Sequence, residues 1–112
     1  MLVRSDINVA YNERSGVDDP QKLSGFPDDC WLRGILFSQL LGPASPTSAG
    51  TFLILLSSDP SDILIAFGVP YLFCAQNFFA PEDSYVQLED GLWVTSSMTD
   101  ALANFSINVI YT

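Results

Sequence analysis

Asp90-Gly91-Leu92-Trp93-Val94-Thr95-Ser96-Ser97-Met98-Thr99-Asp100-Ala101-Leu102-Ala103-Asn104-Phe105-Ser106-Ile107-Asn108-Val109-Ile110-Tyr111-Thr112 contains two alternating apolar runs, and their period decides the fold class. In the first run Leu92, Val94 and Ser96 point one way and Trp93 and Thr95 the other, because side chains of an extended chain alternate between its faces. In the second, Phe105, Ile107, Val109 and Tyr111 share a face, while Ser106, Asn108 and Thr112 share the opposite one with Ile110. Such alternation marks half-buried strands, and the two runs are expected to form a closing strand pair. Residues 97–104 between them have room for one helical turn, with Thr99 or Ser97 as its N-cap.

The same reading extends toward the N-terminus. Thr51–Ser57 (TFLILLS) and Asp62–Phe67 (DILIAF) flank Ser58-Asp59-Pro60-Ser61, whose turn chemistry predicts a hairpin. Tyr71–Phe79 (YLFCAQNFF) and Ser84–Glu89 (SYVQLE) read as further strands separated by the turn Ala80-Pro81-Glu82-Asp83. Trp31–Leu41 (WLRGILFSQLL) is ambiguous, since Leu32, Ile35, Leu36, Gln39 and Leu40 could also line a helix. Gly34 inside it and Gly42-Pro43 after it favour a strand of about eight residues. GPASPTSAG, residues 42–50, is an exposed loop. Residues 1–30 are broken by turn formers, and only Leu2–Tyr11 has the apolar content of a strand. They read either as an extended surface segment or as an arm that docks on a neighbouring subunit. The expected architecture is all-β: a single small β-sandwich over 31–112, jelly-roll-like or Ig-like, with an extended N-terminal arm over 1–30.

At 112 residues the chain can bury one core and scarcely two. Its 13 acidic and 4 basic residues give a net charge of -9, which disfavours phosphate backbones and anionic membranes alike. No nucleic-acid or membrane partner is therefore expected. The longest apolar run, 63–75, is interrupted by Gly68 and Pro70 and falls short of the roughly 20 residues a membrane helix needs. Met1-Leu2-Val3-Arg4-Ser5-Asp6 lacks a secretion signal, so synthesis in the cytosol is expected. All four cations, Arg4, Arg14, Lys22 and Arg33, fall in the first 33 residues. In so acidic a chain they are the candidate partner-binding residues.

Catalytic parts are missing from the sequence. There is no histidine, which removes the commonest general base, the serine and cysteine triads and most zinc sites. The acidic pairs Asp18-Asp19, Asp28-Asp29, Glu82-Asp83 and Glu89-Asp90 fall in turns where carboxylates meet water, and Asp59 and Asp62 match no calcium loop. Cys30 and Cys74 fit no metal or redox spacing and are expected reduced. The reading is of a protein that is not an enzyme and has no cofactor. Most of its aromatics are assigned to the core, with a few free to stack on sugar rings. A mean hydropathy of +0.27, with no Lys or Arg after position 33 to guard strand edges, implies that edges and apolar faces are covered by partners. An assembly component is expected, either a homo-oligomer or a subunit seated on a larger body.

Several segments carry a family resemblance: Leu32-Arg33-Gly34-Ile35, Gly50-Thr51-Phe52-Leu53-Ile54-Leu55, Asp90-Gly91-Leu92-Trp93-Val94-Thr95-Ser96-Ser97 and Ile107-Asn108-Val109-Ile110-Tyr111-Thr112. In this order of strands and turns, residues 31–112 resemble the short virion-associated β-sandwich proteins of tailed bacteriophages, which include capsid cement and decoration proteins. The resemblance implies a structural role in the virion, with the major capsid protein or other virion subunits as partners and a homo-oligomer, a trimer by preference. It supplies no site residues, and residues 1–30 lie outside it. A carbohydrate- or receptor-binding module, or a head-fibre or tail accessory protein, is the alternative.

Overall fold

The computed structural model describes residues 7–16, 19–41, 50–70, 75–81, 83–97 and 103–112. Among them run nine strands: β1 (Asn8–Ser15), β2 (Gln21–Lys22), β3 (Cys30–Leu41), β4 (Gly50–Leu55), β5 (Ile63–Val69), β6 (Ala75–Phe79), β7 (Val86–Leu88), β8 (Trp93–Ser96) and β9 (Asn104–Tyr111). They form two antiparallel sheets. One has the order β1-β9-β3-β6, with β7 paired to β3 beside β6; the other has the order β2-β8-β4-β5. The all-β sandwich is the architecture expected.

The core lies between the sheets. Leu32, Ile35, Phe37, Phe105, Ile107 and Val109 come from the first, and Phe52, Ile54, Phe67, Val69 and Val94 from the second, all buried. Four phenylalanines make its centre: Phe37 stacks on Phe67 at 4.7 Å and on Phe105 at 5.3 Å, and tilts against Phe52 at 5.1 Å. Each such buried ring stabilises the fold by roughly 1.5–3 kcal/mol relative to exposure.

The helical alternative for 31–41 is excluded. β3 is a twelve-residue central strand, hydrogen-bonded to β9 on one side and to β7 and then β6 on the other. Its inward residues are Leu32, Ile35, Phe37 and Gln39. A register shift against β9 between Leu32 and Gly34 places both Arg33 and Gly34 between two inward residues. The hairpin predicted around 58–61 is β4–β5.

The closing strand pair is corrected. β8 and β9 both exist with the expected faces, but β8 pairs with β4 and β2 while β9 pairs with β1 and β3. The chain therefore changes sheets between Ser96 and Asn104. Alternation identifies which face of a strand is buried and carries no information about its neighbour.

Residues 1–30, read as an extended surface segment or an arm, contribute strands to both sheets where they are described. β1 runs the full length of β9 and β2 joins β8. Two polar clamps seam the layers between them. Buried Asn12 donates to the Ser24 carbonyl at 3.0 Å and accepts from the Ser24 amide at 3.1 Å, and Arg14 donates to the Lys22 carbonyl at 3.1 Å. The expected loop at 42–50 and the turn at 97–104 fall mostly outside the described residues.

Candidate interaction surface

The outer face of the β1-β9-β3-β6 sheet follows from its register, since residues paired across strands share a face. One row runs Val9–Ile110–Gly34–Phe79, the next Tyr11–Asn108–Leu36–Asn77, and the third Glu13–Ser106–Ser38–Ala75. Leu40 and Trp31 extend it along β3. Val9, Tyr11 and Phe79 are 61%, 57% and 62% exposed. Two polar pairs on this face close on themselves: the Ser38 and Ser106 hydroxyls meet at 2.7 Å, and the Tyr11 hydroxyl donates to Glu13 at 2.6 Å. That hydrogen bond, then burial and the neighbouring negative charge, hold the Tyr11 phenol above its ordinary pKa. Glu13 is the one ionisable carboxylate in these three rows.

Toward the C-terminal end of the sheet the face dips into a groove of about 300 Å³ lined by Trp31, Arg33, Asp83, Ser84, Tyr85 and Thr112. The Arg33 guanidinium lies over the Tyr85 ring, 4.4 Å from its centroid, and its Nε donates to the Thr112 hydroxyl. Trp31 and Thr112 exchange both backbone hydrogen bonds, at 3.0 and 2.9 Å, which fixes the groove's floor. Chemically this is a wall of aromatic faces with hydroxyl, carboxylate and guanidinium groups at the rim.

The three described cations, Arg14, Lys22 and Arg33, do not gather into one patch. Arg4 lies outside the described residues. Arg14 closes the seam between the sheets, and Lys22 sits beside it, bridging Asp28 at 2.9 Å and Asp90 at 3.6 Å with its ammonium 5.6 Å from the Trp93 ring centroid. The hydrogen bond to Asp28, with the charges of Asp28 and Asp90 also contributing and partial burial opposing, raises the Lys22 pKa. Gly91 passes beneath this bridge at φ 66°, where a Cβ would stand 3.0 Å from Lys22 Cε. Of the described cations, Arg33 is the one that lines the groove on the outer face. Among the described residues no group of three or more Asp, Glu, Cys or His side chains is placed to hold a metal. Cys30 is a free thiol, its pKa raised by burial and then by Asp29 and Asp28; Cys74 lies outside the described residues.

Sequence reasoning missed the surface formed by Val9, Tyr11, Trp31 and Phe79. The default assignment of aromatics to the core extends to Trp31 and Phe79, since nothing in a lone aromatic distinguishes an outward from an inward ring. β1 offered a signal: small Ala10 and polar Asn12 alternate with bulky Val9 and Tyr11.

No protein-family model matches the sequence, and no curated protein matches it. The fold is similar to that of a chain in the acidic stable capsid structure of Helicobacter pylori bacteriophage KHP30, with a TM-score of 0.63 at 13% identity, covering 97% of this chain and 89% of that one.

Proposed function

We propose that the chain is a structural protein of a phage virion, a cement or decoration protein that binds the head lattice and stabilises it. The observation that carries this reading is the likeness to a chain from a phage capsid structure, which covers 97% of this chain. The exposed sheet face with a single carboxylate, Glu13, and the lack of a histidine are consistent with a protein that works by burying surface. Multiple copies on a repeating lattice would add through multivalency, so each contact could be modest. Quantitative mass spectrometry of purified particles tests the proposal: the chain should occur at a fixed ratio to the capsid subunit, and its absence from the particles would overturn it.

A second reading rests on the groove. Trp31, Tyr85, Asp83 and Ser84 combine a stacking surface with groups that bond sugar hydroxyls, as a carbohydrate-binding module requires. Glycan-array binding that Trp31→Ala abolishes would favour this role, and silence across the array would remove it.

A further inference from the structure

We propose that two copies of this chain pack face to face through the outer surface of the β1-β9-β3-β6 sheet. The first observation is the inverted strand β1. Ala10 and Asn12, 5% and 3% exposed, point to the core, while Val9 and Tyr11, 61% and 57% exposed, point away from it. A one-residue slip would exchange the two sets. The Asn12–Ser24 clamp and the β9 pairing fix the register that leaves the larger apolar side chains outside. Phe79, on the opposite edge strand, is likewise turned outward. An apolar face held outward on both flanks of a sheet marks a surface that a partner covers.

The second observation is charge. The chain carries -9, yet the three rows of this face hold only Glu13, already bonded to Tyr11. Two copies that meet on this face therefore bring together only one carboxylate from each across these rows. The face is also self-complementary. With a two-fold axis parallel to the strands, β1 of one copy lies over β6 of the other, so Val9 meets Phe79 and Glu13 meets Ala75. The two Glu13 carboxylates are then separated by about three strand spacings, roughly 14 Å in the plane, beyond the Debye length of about 8 Å at physiological salt.

The third is area. The eight residues each of β1 and β9, the ten of β3 from Trp31 to Leu40 and the five of β6, at about 3.3 Å per residue and about 4.8 Å between strands, span roughly 500 Å² in plan. Side-chain relief enlarges the accessible area toward the about 800 Å² per partner of a standard stable interface. Aligned stacking of sheets about 10 Å apart is an ordinary packing mode.

The inference is independent of the virion reading, because the pair would form in the purified protein wherever the chain resides. Sedimentation equilibrium of the full chain tests it, with far-UV circular dichroism and thermal melting to establish that each variant folds. A dimer is expected, strengthened between 50 mM and 500 mM salt as the remaining repulsion is screened. Val9→Lys and Phe79→Lys, both at exposed positions, are each expected to weaken it at least about tenfold, whereas Ile63→Lys on β5 should leave it unchanged. A monomer at all concentrations, a trimer, or a dimer that both face variants leave intact would overturn the proposal. So would a monomer that occupies this face only with a different protein.

Discussion

The Phe79 ring lies across Gly34: a Cβ at Gly34 would stand 2.9 Å from Phe79 Cδ1 and 2.9 Å from the Phe78 carbonyl oxygen. The glycine is required by this close approach of β6 to the bulged stretch of β3. Gly34→Ala must displace both a ring and a backbone carbonyl, and only the ring moves cheaply. The expected loss is about 1–3 kcal/mol, as for other overpacked sites, read as a lower urea midpoint with an unchanged slope.

Asn12 is the seam between the sheets. Asn12→Leu keeps the volume but leaves the Ser24 amide and carbonyl, both now bonded to Asn12, without their partner. A cost of about 1–3 kcal/mol is expected. Hydrogen exchange should locate it: amides of 21–25 should exchange faster in the variant, whereas those of β4 should keep their protection relative to global stability.

The positions of most strands could be read from the sequence, because Phe105-Ile107-Val109 and the run 51–55 alternate cleanly and Ser58-Asp59-Pro60-Ser61 announces its turn. Partnership beyond the β4–β5 hairpin could not. β8 and β9 look like a hairpin in sequence, yet they serve different sheets, since nothing in an alternating run states whether its neighbour is sequential or distant. The strand expected over 2–11 from its apolar content overlaps β1 at 8–11, its first residues lying outside those described, and β1 runs on to Ser15. In Asn8–Ser15 the inward residues include a polar Asn12 satisfied by Ser24, a contact with no local signature. The candidate surface was hidden for the same reason: Val9 and Tyr11 are ordinary strand residues until the register shows which way they point.

Phe37 touches three other buried phenylalanines, so it joins the two sheets at their centre. Phe37→Ala is expected to cost about 3–5 kcal/mol, a large share of the about 5–15 kcal/mol by which a domain is stable. Phe37→Leu should cost distinctly less. Denaturant melts of the two variants would check both the size and the order; equal losses would mean that ring packing contributes little beyond volume.

Asp59 Oδ1 accepts from the Ser61 amide at 2.9 Å and from the Ser61 hydroxyl at 2.8 Å, and these bonds, the amide first, lower its pKa. Both favour the charged form. Their stabilising effect is present above the unfolded carboxylate pKa and is lost as pH falls through the lower folded value. In a carboxylate NMR titration Asp59 should lose its charge at a lower pH than a free aspartate, and Ser61→Ala should move it only part of the way back, since the amide bond remains.

Lys22 supplies the opposite sign. Its folded pKa is raised by Asp28 and Asp90, so its contribution is complete below the ordinary lysine pKa and disappears as pH climbs through the raised value. Tyr11 behaves alike: with its phenol also held above the ordinary value, its protonated form is favoured by folding and the benefit is again lost with rising pH. Alkaline destabilisation should therefore contain a separable part from each of these two groups, beside that of Cys30, whose raised pKa acts in the same direction. Lys22→Met and Tyr11→Phe should each flatten the fall of Tm at alkaline pH, and the double variant should flatten it by the sum, because the groups lie in different sheets with no shared partner. Added salt should shrink the Lys22 share, since its ion pairs are solvent-exposed. A double variant whose Tm falls as steeply as that of the unaltered chain would mean that neither group is linked to folding.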